Sequence, residues 1–304
     1  MKGSKAWWRG EIGRWLGLVV GMILIYKFIN KDDLIHVIRQ SLPPQEAGLL
    51  TGIILGDKEG FEKTFYEKLK NSGLVHLVVV SGSNVMLLIS GGIEIMAGVL
   101  GRKKAIGGGL ILGWGYAQMV GWEVPVVRAM LLVSLLYLAQ LYGRKYDIWR
   151  ALLVAGGMML VGEIRLVSSV SFWLSIAAFL GVITIDRFMN RTIKTLITPV
   201  WVSVWITPIL AMIFGKISLV SPISNWLVTG LVEIVTLVVI IGVGVGMVIP
   251  ELGKAVLWLT YPGLRYLSAV VEWGGKMPVL NIQFNWYLLI GWYLILGYWC
   301  WRRV

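Results

Sequence analysis

Uninterrupted apolar runs of about twenty residues recur along this chain, and they restrict its fold more than any other feature. A helix of that length spans a hydrocarbon core of about 30 Å. Inside such a core every backbone N–H and C=O needs a partner within the protein, so only helices and closed barrels can cross. A barrel would show short segments of alternating polarity. The continuous Leu, Val and Ile runs here predict an all-α fold, a polytopic helical integral membrane protein. Candidate spans are 14–29, 72–100, 105–121, 125–142, 148–164, 168–186, 195–214, 222–249 and 284–301. Lys254, Pro262, Arg265 and Glu272 interrupt 252–274, which reads as a kinked crossing or a helix in the interface. About eight to ten crossings are expected.

Charge sets the orientation. Only 14% of the residues are charged, against about a quarter in soluble domains. The formal net charge of +12 comes largely from clusters between the runs: Lys2, Lys5, Arg9 and Arg14; Arg102–Lys104; Arg144, Lys145 and Arg150; Arg187, Arg191 and Lys194; Arg302 and Arg303. The intervening loops near Glu123, Arg165 and Lys216 hold few basic residues. By the positive-inside rule the basic loops and both termini face the cytoplasm, in an inner (cytoplasmic) membrane. Most of the sixteen Trp residues fall near span ends, where an aromatic belt belongs.

The N-terminus resembles the basic and apolar regions of a signal peptide but lacks an A-x-A-like cleavage site, so residues 1–43 read as a retained anchor helix and linker. The same counting places 30–71 outside. Within it, Ala47 to Leu55 is apolar but too short to span, as a segment re-entering from outside would be. Phe61, Phe65 and Leu69 recur at i, i+4 and i+8, the pattern of an amphipathic helix at the membrane surface. Asn71-Ser72-Gly73 supplies its stop. Residues 44–304 then form one membrane domain.

Polar groups interrupt the second run. His76, Ser81, Ser83 and Asn84 lie within nine residues of an apolar stretch. On a continuous helix His76, Ser81 and Asn84 share one face, and Gly82 and Ser83 admit a neighbouring backbone. Hydrogen bonding between helices and lining of a water-filled path both fit this pattern. Arg128, near Glu123, fits either an interfacial ion pair or a path-lining cation. Glu94 and Glu233 sit deep enough to need a partner or water. A serine-protease reading fails on a continuous helix, because His76 and the two serines lie too far apart for a dyad. One cysteine, Cys300, excludes an internal disulfide or a cysteine cluster, and two histidines exclude a multi-histidine metal centre. No metal, cofactor or enzymatic activity is expected.

The segments Glu46–Asp57 (E-A-G-L-L-T-G-I-I-L-G-D) and Gly73–Val85 (G-L-V-H-L-V-V-V-S-G-S-N-V) resemble the competence domain of the ComEC family of DNA-internalisation proteins. Val124–Leu131, Arg144–Leu152, Val170–Gly181 and Pro222–Val228 are similar to later stretches of that domain, in order and at matching spacing. Asn84 stands where the family often has histidine, and Trp173 where it often has glutamine. Longer members carry a soluble extracytoplasmic domain and a metallo-β-lactamase-like domain. This chain is expected to be the competence-type channel alone.

The resemblance implies a channel passing single-stranded DNA across the inner membrane during natural transformation. His76, Ser81, Ser83, Asn84 and Arg128 would line the DNA path, with Glu46, Asp57, Ser175 and Asn225 supporting it or its entrance. The lipid bilayer, a separate extracytoplasmic DNA receptor, a nuclease and a cytoplasmic ATP-driven translocase would be its partners. Alternatives from other classes are a small-solute secondary transporter and a membrane-embedded enzyme.

Overall fold

The computed structural model describes residues 31–57, 59–78, 80–185, 191–246, 249–282 and 285–302. The anchor expected at 14–29 lies outside the described residues. Thirteen helices occur among them: α1 Lys31–Ser41, α2 Pro44–Leu55, α3 Lys63–Asn71, α4 Gly82–Leu100, α5 Arg102–Met119, α6 Val124–Leu141, α7 Ile148–Gly162, α8 Val170–Ile185, α9 Arg191–Phe214, α10 Ser221–Gly246, α11 Pro250–Trp258, α12 Tyr261–Gly275 and α13 Trp286–Arg302. Two three-residue strands, β1 Lys216–Ser218 and β2 Val279–Asn281, pair antiparallel with Ile217 opposite Leu280. The protein is an all-α polytopic membrane protein. Helices α4, α6, α10 and the 197–214 part of α9 are long and apolar enough to cross a bilayer. Ile148–Gly162, Val170–Ile185 and Trp286–Cys300 are shorter apolar helices.

Small residues set the closest packing. An added Cβ at Gly109 would lie 2.4 Å from Ile93, and one at Gly113 2.6 Å from Ile89 and 2.7 Å from Met130, so glycines of α5 seat it between α4 and α6. Where α10 meets α11, a Cβ at Gly253 would lie 2.3 Å from the Gly246 Cα. In lipid, where no hydrophobic force drives one helix onto another, such contact maximises dispersion. The main core joins Ile53, Val85, Ile89, Ile93, Ile106, Met130, Val235 and Leu267.

One expectation needs correction, and two others gain detail. The run 72–100 is not one helix: a 3-10 turn covers Val75–Val78, and α4 begins only at Gly82. Ser81 stops it, with extended backbone (φ −90°, ψ 151°) and a side chain that accepts the Asn84 N–H. The amphipathic helix α3 buries Phe65 and Leu69 inside the protein and packs on α12, so its apolar face meets protein first. Region 252–274 is two helices of 9 and 15 residues, broken at Leu259–Thr260 ahead of Pro262.

Candidate functional site

The site is built around the end of α2. Every residue from Glu46 to Leu55 is buried, so the last carbonyls of this helix have no water to meet. Gly56, at φ +67°, turns the chain and returns its N–H to the Gly52 carbonyl at 3.0 Å. Side chains from two other helices satisfy the next two carbonyls. Asn84 Nδ2 donates to Ile53 O at 3.0 Å, and the Tyr116 hydroxyl donates to Ile54 O at 2.5 Å. The Thr236 hydroxyl in turn donates to Asn84 Oδ1 at 3.3 Å. Asn84 is 3% exposed and ties α2, α4 and α10 together. Asn84→Leu should cost about 1–3 kcal/mol by orphaning the Ile53 carbonyl, read as a lower melting temperature in detergent; Asn84→Gln should cost less.

His76 and Asn84 do not share a helix face, because Val80 and Ser81 between them are not helical. His76 Nδ1 donates to the Gly73 carbonyl at 3.2 Å, inside its own turn. Ser81 and Ser83 remain at the mouth of α4, their hydroxyls 2.8 Å apart. An added Cβ at Gly82 would be 3.2 Å from Ala129 Cβ and 3.8 Å from the Pro125 carbonyl, so the starts of α4 and α6 lie side by side. Arg128, the fifth residue of α6, meets Ser175, the sixth of α8, so the start of α6 adjoins that of α8 as well. Each of these helix N-termini carries partial positive charge.

Arg128 reaches across from α6 to α8. Its guanidinium donates to the Ser175 carbonyl and lies 5.7 Å from the centre of the Phe179 ring. Its Nε and the Ser175 hydroxyl are buried without a hydrogen-bond partner. The ion pair with Glu123 allowed by the sequence does not form; among the described residues no carboxylate pairs with Arg128. The result is a half-buried cation whose charge no described carboxylate cancels. Such a group can be satisfied by a passing anion.

The remaining named residues sit elsewhere. Asp57 accepts from Arg39 at 2.9 Å, and Glu46 lies 3.6 Å from Arg265; the two pairs brace the ends of α2. Asn225 donates to Ser203 at 2.9 Å and to Ser221 at 3.2 Å, joining α10 to α9. Thr236 and Tyr116 are functional neighbours that sequence reasoning missed. Both lie inside apolar runs, and nothing in their spacing announces a partner 152 or 62 positions away. Among the described residues no three His, Cys, Asp or Glu side chains gather to hold a metal ion.

Comparison with known proteins places this architecture. "Uncharacterized protein YcaI" of Escherichia coli K12 is 24% identical over 254 residues, covering 75% of this chain and 32% of that protein. "Recombination protein 2" of Haemophilus influenzae is 22% identical over 219 residues, covering 67% of this chain and 27% of that protein. The chain thus spans about a third or less of the curated relatives it matches. No solved structure matches it. The family described as "Competence protein" matches residues 53–304, which contain Ser81, Ser83, Asn84 and Arg128, and the chain belongs to that family.

Proposed function

We propose that this chain is the inner-membrane channel that admits a single strand of DNA during natural transformation, with no enzymatic activity of its own. Arg128 carries the proposal: a membrane-embedded guanidinium with no carboxylate partner among the described residues, beside the adjoining starts of α6 and α8. A path for phosphates needs positive potential and hydrogen-bond donors, but not traps deep enough to prevent release. Ser81 and Ser83 supply neutral hydroxyls at the mouth of α4, and His76 a polar ring in the 3-10 turn that precedes it. Asn84, held by Ile53 and Thr236, fixes the wall that these residues stand on. Glu46 and Asp57, neutralised by arginines, hold α2 in place at the entrance. Separate proteins act as receptor outside, as nuclease, and as ATP-driven motor inside.

The test is a deletion strain supplied with radiolabelled duplex DNA. Label should stay outside the cytoplasm without the chain and enter as single strands when it is restored. Normal entry without it would refute the proposal. Uptake of a small solute but never of DNA would instead favour a secondary transporter, whose sites also form at interrupted helices.

Orientation has its own check. With basic loops in the cytoplasm, α3 lies outside. In a Cys300→Ala background, the exposed position Lys63→Cys should react with a membrane-impermeant maleimide added to intact cells. Reaction only after the cells are opened would invert the topology.

A further inference from the structure

Two acidic side chains occur within the four helices long and apolar enough to cross a bilayer, and the structure treats them differently. Glu94, near the end of α4, pairs with Arg102 at 2.8 Å. Glu233 is residue thirteen of the 26 in α10, about 18–20 Å from either end of that helix. It is exposed, and among the described residues no hydrogen bond or ion pair holds it. The opposite face of α10, through Asn225, Val228, Val232, Val235, Thr236 and Val239, is buried in the bundle.

Glu233 belongs to a regular stripe. Ile223, Trp226, Gly230, Glu233, Leu237 and Ile241 are all exposed, at alternating spacings of three and four closing with a second four. That is one helix-wide seam about 27 Å long. Lipid covers such an apolar seam unaided. It cannot satisfy a carboxylate at the middle of a helix, and the Thr229 and Thr236 hydroxyls one turn away donate instead to Asn225 and Asn84. Gly230, one turn before Glu233, has no atom within 4 Å of where a Cβ would stand, leaving room for another backbone to come close.

We propose that this face of α10 docks a transmembrane helix of a partner membrane protein, which presents a basic or amide side chain (Arg, Lys, Asn or Gln) to Glu233 at mid-membrane. Charge complementarity selects the occupant. A second copy using the same face would bring two carboxylates together, and a wholly apolar helix would leave Glu233 unsatisfied. The proposal is independent of what passes through the protein.

The experiment places a photo-crosslinking amino acid at Leu237 of the full chain in its native membrane and maps the linked peptide by mass spectrometry. The expected product joins α10 to a membrane-spanning segment of another protein that contains one of those four side chains. Its yield should fall about tenfold, the equivalent of one decade in affinity, in the Glu233→Leu variant, and Glu233→Gln should recover part of it. A photo-crosslinker at Ile295 on α13 serves as the control site, and its product should not change with Glu233→Leu. Were Glu233→Leu to misfold in a thermal-melt assay, the peptide mapped with Glu233 in place would still decide. Cross-links to lipid alone, to a second copy, to residues 1–30 of the same chain, or to a span lacking such a side chain would overturn the proposal. So would an unchanged yield in folded Glu233→Leu.

Discussion

Replacing Arg128 with glutamine should reduce transformants about a hundredfold, the scale of ~2.7 kcal/mol of lost stabilisation, while the protein remains folded and inserted. Glutamine can still donate to the Ser175 carbonyl, so the link between α6 and α8 survives. Only the positive charge disappears. Arg128→Lys should retain part of the activity, since it keeps the charge but loses the fork geometry. Arg128→Leu is a weaker test, because it removes the bond and the charge together. Transformation frequency is the first measurement, and the elution profile of a fluorescent fusion in detergent is the second. Normal transformation by folded Arg128→Gln would remove Arg128 from the path. Loss of the monodisperse peak would give it a packing role instead.

The second large effect is on folding. Gly73→Ala should destabilise the protein by roughly 2–5 kcal/mol, from a left-handed backbone that L-residues disfavour and from overpacking. Gly73 sits at φ +75°, and a Cβ there would lie 2.3 Å from Ser221 Oγ, 2.4 Å from Ser221 Cβ and 3.1 Å from Ser221 Cα. The same residue supplies the carbonyl that His76 bonds, so relieving the clash would also turn the imidazole away. Adding Ser221→Gly removes the two side-chain collisions and should restore part of the loss. The strain of the positive φ and the contact with the backbone would remain. A melting temperature for Gly73→Ala equal to that of the parent would show that the turn has room to relax.

Fold class and the presence of polar groups inside apolar runs were legible in the sequence, because each depends on what a residue costs in lipid wherever it stands. Leu, Val and Ile runs demand burial, cationic clusters resist translocation, and His76, Ser81, Asn84 and Arg128 stand out as polar groups in apolar runs. The ordered motifs from Glu46 to Val228 carried the family before any coordinates.

Tertiary structure decided which polar groups meet. The sequence placed His76, Ser81 and Asn84 on one helical face, and periodicity alone supports that reading. It fails because Ser81 bonds the Asn84 N–H and so starts a helix there instead of continuing one. A serine gives the same local signal in either place; the surrounding chain path chooses. Asn84 finds its partners in Ile53 and Thr236, and Arg128 finds a carbonyl on α8 instead of the nearby Glu123. The transfer cost of a side chain is local and additive along the chain, whereas the partner that repays it is set by how helices distant in sequence pack, and no periodicity records that.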